Sequence, residues 1–137
     1  MTQTTNIHHR VAIMVDGDTI VPEHSAWILQ EGQRLGQIAL ARTYGDMSAK
    51  SGWRDADGVE AVHSDAAMLL IAIDAVEFAL TDVFDTIILA TDARDMSHLA
   101  RRLRGYGMQV VGLGGPDGPS AFRDMCTVFK QLPAQAG

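Results

Sequence analysis

Residues 11–19 read VAIMVDGDT and residues 86–95 read TIILATDARD, and these two stretches decide the fold. Each begins with five apolar or β-branched residues and then runs into acidic residues. Short runs that are almost continuously apolar are typical of parallel strands covered on both faces. The sequence therefore predicts two buried strands that each deliver a carboxylate to the same edge of one sheet.

The rest of the chain alternates between strand-like and helix-like segments. Further strands are predicted at residues 38–44, 59–62, 108–113 and 126–129, and helices at 22–35, 64–81, 95–105 and 119–125. Such alternation predicts an α/β fold, a three-layer α/β/α sandwich with a mainly parallel sheet and right-handed crossovers. The segment GLGGPDGPS at 112–120 lacks the Lys-Ser/Thr ending of a phosphate loop, and we interpret it as a flexible connector near the same edge.

Length and composition fit one globular domain. The chain has 137 residues, of which 47% are apolar. We expect a domain over residues 10–132, a polar leader at 1–9 and a tail at 133–137. The longest apolar run, 66–73, is far shorter than the roughly 20 residues of a membrane helix, and the polar start has no secretory signal. The single cysteine, Cys126, has no disulfide partner, so we expect a cytoplasmic protein without membrane association.

The net charge of −6 repels polyanions, so any nucleic-acid binding must be local. The basic residues are mostly arginines, and four of them crowd into one stretch: Arg94, Arg101, Arg102 and Arg104. Arginine binds phosphate through two hydrogen bonds at once. This stretch is either a phosphate-binding patch or an ordinary solvated helix face.

Acidic side chains are predicted to gather at the carboxyl edge of the sheet. Asp16 and Asp18 follow the first strand, Asp92 and Asp95 follow the fourth, and Asp65 opens the helix over 64–81. Clustered carboxylates repel one another, so such a cluster normally needs a cation. Oxygen ligands favour Mg²⁺ or Mn²⁺, which promote phosphodiester hydrolysis by activating a water molecule.

Each acid also has a structural interpretation. Asp92 and Asp95 are spaced like a helix N-cap and its N3 partner, Asp65 suits the first turn of a helix, and Asp18 suits a turn. Asp16 is the strongest candidate, because a charge directly after a buried central strand is costly without a partner.

Taken together, five blocks resemble the NYN domain family of PIN-like ribonuclease fold. They are VAIMVDGDTI at 11–20, ARTYGDMSAKSGW at 41–53, SDAAMLLIAIDAVEFAL at 64–80, ILATDARDMSHLARRLRGYGMQVVGLG at 88–114, and AFRDMC at 121–126 followed by Phe129. The likeness is greatest to the bacterial branch with an Asp-Gly-Asp-Asn turn after the first strand. It implies a metal-dependent nuclease acting on RNA, with Mg²⁺ or Mn²⁺ held by acids after strands one and four and on the intervening helix.

The first hypothesis is therefore a ribonuclease in which a divalent ion is held by Asp16, Asp65, Asp92 and Asp95. The first three of these are the candidate catalytic residues. Candidate substrate contacts are Asp18, Thr19, Ser64, Arg94, Arg101 and Arg102. Single-stranded RNA is the expected substrate, because an exposed phosphate must reach the edge of the sheet.

Departures from the family pattern favour a second hypothesis. Thr19 replaces the usual Asn, Met68 occupies the position of the usual helix acid, and one extra residue separates Asp92 from Asp95. These changes affect the predicted site and not the predicted fold. The alternative is a catalytically degraded NYN-like module that binds RNA or a protein partner, or that associates with itself as a homodimer.

Residues 16–18 also resemble the opening motif of haloacid-dehalogenase phosphatases. That motif requires Thr or Val where this chain has Ile20, and neither Lys50 nor Lys130 follows a middle strand. The same shortage of lysine argues against a phosphorylation-receiver domain. The phosphatase is therefore the least favoured hypothesis, and the receiver domain is excluded.

Overall fold

The computed structural model describes residues 9–48 and 51–134, and the predicted leader therefore lies, apart from His9, outside the described residues. The strands within these ranges are β1 (Arg10–Asp16), β2 (Gln37–Gly45), β3 (Glu60–His63), β4 (Thr86–Ala90), β5 (Gln109–Gly114) and β6 (Val128–Gln131). The α-helices are α1 (Ser25–Leu35), α2 (Ala67–Thr81), α3 (Met96–Gly105) and α4 (Ser120–Met125). Short 3-10 turns occupy Pro22–His24 and Gly52–Asp55. No helix in these ranges is long and apolar enough to cross a membrane.

All six strands are parallel, in the order β3-β2-β1-β4-β5-β6. The prediction of an α/β sandwich with a mainly parallel sheet is confirmed. The chain runs outward from β1 to β3, returns to β4 beside β1, and runs outward again to β6. The strand order thus reverses between β1 and β4. Open α/β sheets bind ligands in the crevice at the carboxyl ends of such a pair.

Helices cover both faces of the sheet. On one face, α2, α3 and α4 pack against a cluster that includes Ala12, Met14, Ile87 and Leu89. On the other, α1 and the turn carrying Trp53 pack against Val11, Ile13, Val15 and Ile88. Every residue from Val11 to Asp16 is buried. The carboxylate that ends β1 must therefore find its hydrogen-bond partners within the protein.

An ion pair between a buried carboxylate and a half-exposed lysine joins α1 to β6. The Glu31 side chain is 6% exposed, and its Oε1 accepts a hydrogen bond of 2.6 Å from Lys130 Nζ on β6. The Arg34 guanidinium lies 3.8 Å from the other carboxylate oxygen. Gly32 allows α1 to approach the sheet closely, because a Cβ there would lie 2.7 Å from Ile13 Cδ1. These contacts hold α1 over β1, the strand that ends in Asp16.

Candidate functional site at the β1–β4 crevice

Asp16 is the last residue of β1 and is 2% exposed. Its Oδ1 accepts a hydrogen bond from the Asp18 N–H at 3.2 Å. Its Oδ2 accepts one from the Thr19 hydroxyl and one from the Thr91 hydroxyl, both at 3.0 Å. Hydrogen bonds to a charged oxygen compensate for the water lost on burial. Asp16 is therefore a well-partnered buried carboxylate that joins the loops after β1 and β4.

Thr19 and Thr91 form two matching bridges to the loop after β4. Besides donating to Asp16, the Thr19 hydroxyl accepts the N–H of Asp92 at 3.0 Å, and the Thr91 hydroxyl accepts the N–H of Ala93 at 3.0 Å. A hydroxyl has one proton to donate and lone pairs to accept, so each threonine is used in both ways. The bridges fix the backbone of residues 91–93 relative to the Asp16 carboxylate.

Asp18 is exposed and serves the loop after β2. Its Oδ1 accepts the N–H of Asp46 at 3.0 Å. A Cβ at Gly45, whose φ is +151°, would lie 2.6 Å from the same oxygen. Glycine at that position thus lets the loop after β2 pass close to Asp18.

Glycines enclose the Asp92 carboxylate. Asp92 Oδ1 accepts the N–H of Gly115 at 2.8 Å. A Cβ on Gly114 or Gly118 would lie 2.9 or 2.8 Å from that oxygen, closer than real Cβ atoms approach. The segment at 112–120, which we interpreted as a flexible connector, therefore contains the end of β5 and surrounds the carboxylate of a predicted site residue, Asp92.

Asp65 and Ser64 lie outside this network. Helix α2 begins at Ala67, so Asp65 precedes the first turn instead of occupying it, and its side chain is exposed. The Ser64 hydroxyl accepts the N–H of Ala66 at 2.8 Å. The structure does not bring either side chain into contact with Asp16.

Asp95 is the N-cap residue of α3, but its side chain makes no capping hydrogen bond. The interpretation of Asp92 as N-cap is wrong, because the helix begins four residues later, at Met96. Within residues 9–48 and 51–134, no three His, Cys, Asp or Glu side chains are grouped closely enough to hold a metal ion. The structure thus does not assemble the four predicted ligands; it joins Asp16 to the loop that carries Asp92.

The predicted arginines are exposed in the loop before α3 and on α3 itself. Arg94 is exposed in the loop before α3, and Arg101 and Arg102 are exposed on the outer side of that helix. The opposite side of α3 is buried. In the described parts of the chain, these three guanidinium groups have no carboxylate partner within 4 Å. They are available to contact phosphate.

Two open cavities flank Thr19. One, of about 580 Å³, is lined by residues that include Asp18, Asp46 and Trp53. The other, of about 330 Å³, is lined by residues that include His24, Asp92 and Gln131. Because Thr19 lines both, a ligand in either cavity lies beside a residue bonded to Asp16.

The oxygen atoms of Asp16 and Asp92 could provide only a few of the ligands of a divalent cation such as Mg²⁺. A carboxylate has about four acceptor sites, of which Asp16 uses three and Asp92 one. Mg²⁺ is commonly bound by one or two carboxylates together with waters and substrate phosphates. The free acceptor sites on Asp16 and Asp92 therefore leave room for a metal contact from each carboxylate, and the described residues do not form a closed cage of protein ligands.

Asp74 and Cys126 belong to the packing and not to the site. The Tyr44 hydroxyl donates to Asp74 Oδ2 at 2.7 Å, and burial together with this hydrogen bond raises the pKa of Tyr44. The tyrosine therefore stays protonated and ties α2 to β2. Burial raises the pKa of the Cys126 thiol to about 11, so the thiol is protonated at neutral pH.

Sequence reasoning missed Thr91 and the glycines around Asp92. Thr91 directly follows β4 and is 1% exposed. The available signal was a threonine shortly after each of the two central strands, Thr19 and Thr91, close to the acid that directly follows the first of them, Asp16. Side-chain hydroxyls next to a buried carboxylate are the expected donors to it.

Comparisons with known proteins agree with this architecture. The profile of the NYN domain family matches residues 10–132. A crystal structure of a protein of unknown function from Vibrio parahaemolyticus has a TM-score of 0.75 to this chain, with 19% sequence identity over 96% of this chain and 97% of that one. That likeness concerns the fold alone. A search of curated proteins gives no significant match.

Proposed function

The chain belongs to the NYN domain family, a family of PIN-like nucleases, and we propose on this premise that it is a metal-dependent ribonuclease acting at the β1–β4 crevice. The observation that carries the proposal is Asp16: a carboxylate 2% exposed at the point where the strand order reverses. A charged side chain at this position contributes nothing to the apolar packing between the sheet and its helices. Its position suits a residue that binds a cation or reacting group.

In this proposal, Asp16 and Asp92 hold Mg²⁺ or Mn²⁺. Asp65 and Asp95, which precede α2 and α3 at the same edge, would accept hydrogen bonds from waters around the ion, since Mg²⁺ keeps several of them. When bound, the ion neutralises charge on the phosphodiester and favours deprotonation of the attacking water. Thr19 and Thr91 keep the Asp16 carboxylate in place and hold the loop that carries Asp92.

Substrate binding is assigned to the residues around the crevice. Arg94, Arg101 and Arg102 contact backbone phosphates, and Thr19, Ser64 and Asp18 orient the strand or a water. The site lies at an open edge between loops, which suits single-stranded RNA. The proposal places this activity in the cytoplasm, in keeping with a chain that has one cysteine.

A second candidate function is a non-catalytic module that binds RNA. It is favoured by Met68, a half-buried residue where the family has an acid, and by the hydrogen bonds that already occupy Asp16 and Asp92. In such a module, Asp16 and its two threonines would serve only to hold the loops together.

The test is cleavage of a labelled single-stranded RNA by the purified full chain, with Mg²⁺ or Mn²⁺ and with chelator. We expect Asp16→Asn to lower the metal-dependent rate at least about a hundredfold. The matched control is Asp57→Asn, which changes an exposed acid outside the network and should leave the rate unchanged. Circular dichroism verifies that both variants fold.

Two results would decide between the candidates. RNA binding by the wild-type chain without cleavage in either metal would establish the module and reject the nuclease. Cleavage that is equal in Asp16→Asn and wild type would also reject the nuclease, because it would come from a contaminant or another site.

A further inference from the structure

Helix α2 is apolar on both its faces. It has 15 residues, of which only Asp74, Glu77 and Thr81 are polar. Its inner face is buried against the sheet. On its outer face, Leu69 is 61% exposed, Ile73 52% and Leu80 64%. A helix that is apolar all round is normally buried, and a contiguous exposed apolar patch usually marks an interaction surface.

The outer residues follow the spacing of a coiled-coil seam. Leu69, Ile73, Val76 and Leu80 are separated by four, three and four positions, the a and d positions of a heptad repeat. Leu69, Ile73 and Leu80 are exposed, and Val76 between them is partly buried against the core. We call these four residues the outer seam. The buried residues Ala67, Ile71 and Ala75 and the partly buried Phe78 lie on the opposite side of the same helix. Apart from Val76, the seam is therefore additional to the face that the fold needs.

An apolar groove runs between the outer seam and α3. It has a volume of about 360 Å³ and is lined by Met68, Leu69 and Ala72 from α2 and by Met96, Leu99 and Arg102 from α3, among others. The seam residues project from the surface, and the groove lies directly beside them. The seam of one copy can therefore fit into the groove of a second copy. A surface that carries both can pair with itself, as a two-fold interface requires.

The charges beside the seam are also complementary to each other. Arg102 lies on the side of the seam that carries the groove. Glu77 lies on the other side of the seam, because it is nine residues, and so about 180° around the helix, from the groove residue Met68. Both side chains are exposed. Both helices start at the carboxyl edge of the sheet and run in the same direction. Met68 and Met96 both line the groove and serve as a common reference level. Glu77 is nine residues beyond Met68 and Arg102 is six beyond Met96, so their positions along the helix axes differ by three residues, about 4.5 Å.

We propose that the outer seam is the interface of a homodimer in which the two α2 helices pack in parallel about a two-fold axis along their length. Rotation about such an axis leaves the position of each residue along the helix unchanged and swaps the two flanks of the seam. It therefore places Glu77 of each copy opposite Arg102 of the other. A two-fold axis perpendicular to the helices would instead place Arg102 of one copy on the same side as Arg102 of the other, where the like charges repel.

The expected interface is of modest size. The seam from Leu69 to Leu80 is about 17 Å long, and α2 with α3 beside it is about 20 Å wide. Two faces of this size bury about 700 Å² in total, which is less than the roughly 1,000 Å² of a stable specific interface and in the range of weak, transient ones. We therefore expect a dissociation constant in the micromolar range and not a permanent dimer.

Parallel packing has a geometric consequence. Because the axis runs along α2, the carboxyl edges of both sheets face the same way, and the two β1–β4 crevices open on one side of the dimer. This inference concerns an interaction surface and holds whether or not the chain cleaves RNA; in the dimer, Arg102 would pair with Glu77 and leave Arg94 and Arg101 to contact phosphate.

The first test is sedimentation velocity of the full chain between about 1 and about 200 micromolar, a range that brackets the expected dissociation constant. We expect wild type to dimerise and Ile73→Glu to weaken dimerisation at least about tenfold, because it places a charge in the seam. The matched control is Val128→Glu, which changes an apolar residue of similar exposure, 42%, on β6. A wild-type chain that stays monomeric, or a dimer equally weakened by both variants, would overturn the proposal.

The second test fixes the orientation of the helices. Leu80→Cys should form a disulfide-linked dimer on oxidation, because the same seam position meets itself in a parallel pair. Wild type is the control for background cross-linking through Cys126, which is buried. Cross-links that form only when Leu69→Cys and Leu80→Cys are mixed would show antiparallel helices and would overturn the parallel arrangement. In addition, Glu77→Arg should weaken the dimer, and combining it with Arg102→Glu should restore it.

Discussion

Replacing Thr91 by valine tests whether the Asp16 network stabilises the fold. Valine keeps the branched shape and removes the hydroxyl, which donates to Asp16 and accepts from the Ala93 N–H, both at 3.0 Å. Losing a hydrogen bond to a charged group costs about 1.5–3 kcal/mol, and leaving a partly buried N–H unpaired adds to this. We expect a loss of about 2–4 kcal/mol in the free energy of unfolding, measured by urea denaturation at neutral pH.

Thr91→Ser is the matched control. It keeps the hydroxyl and removes one buried methyl group, which costs about 1 kcal/mol. The loss caused by Thr91→Val should also shrink by at least about 1 kcal/mol when Asp16 is already Asn, because the charge that the hydroxyl stabilises is then absent. If valine and serine variants are equally stable, or if the two mutations are strictly additive, the hydroxyl does not stabilise Asp16 and this reasoning is refuted.

Two further predictions concern the region around Cys126. Gly112→Ala would place a Cβ against Cys126 Sγ and 3.1 Å from the Phe122 ring, so we expect a loss of about 1–3 kcal/mol in urea denaturation. The double variant with Cys126→Ala should recover part of it, and a purely additive result would contradict the packing argument. Because the pKa of Cys126 is raised to about 11 in the folded chain and a free thiol titrates near 8.5–9, the unfolded chain loses its proton first. Thermal stability should therefore hold below about pH 8.5 and fall as pH rises toward 11, with a smaller fall in Cys126→Ala; parallel curves for the two proteins would reject the raised pKa.

The fold could be predicted largely from periodicity. The strand expected at 86–90 is β4 as observed, because five apolar or β-branched residues are bounded by a loop on each side and all five are buried. The last strand was placed two residues early, at 126–129 instead of Val128–Gln131. The sequence there is short and half-exposed, so it contains no alternation that could define the register.

The site was less accessible to sequence reasoning. The position of Asp16 followed from the strand that precedes it, since the end of a buried strand fixes the edge at which the next residue lies. The direction of the Asp92 carboxylate did not, because it depends on glycines some 23 residues later. Likewise, the start of α2 at Ala67 leaves Asp65 outside the helix, and helix boundaries are the least certain part of any pattern-based prediction.

The contact between Glu31 and Lys130 joins residues 99 positions apart. A nascent polypeptide can form β1 and α1 early, yet the Glu31 carboxylate acquires its closest cation only once β6 has been synthesised. Until then, pressing α1 onto the sheet would bury a charge with only the longer contact to Arg34 to offset it. In the order of synthesis, the closest cation of Glu31 is therefore added only with the sixth strand.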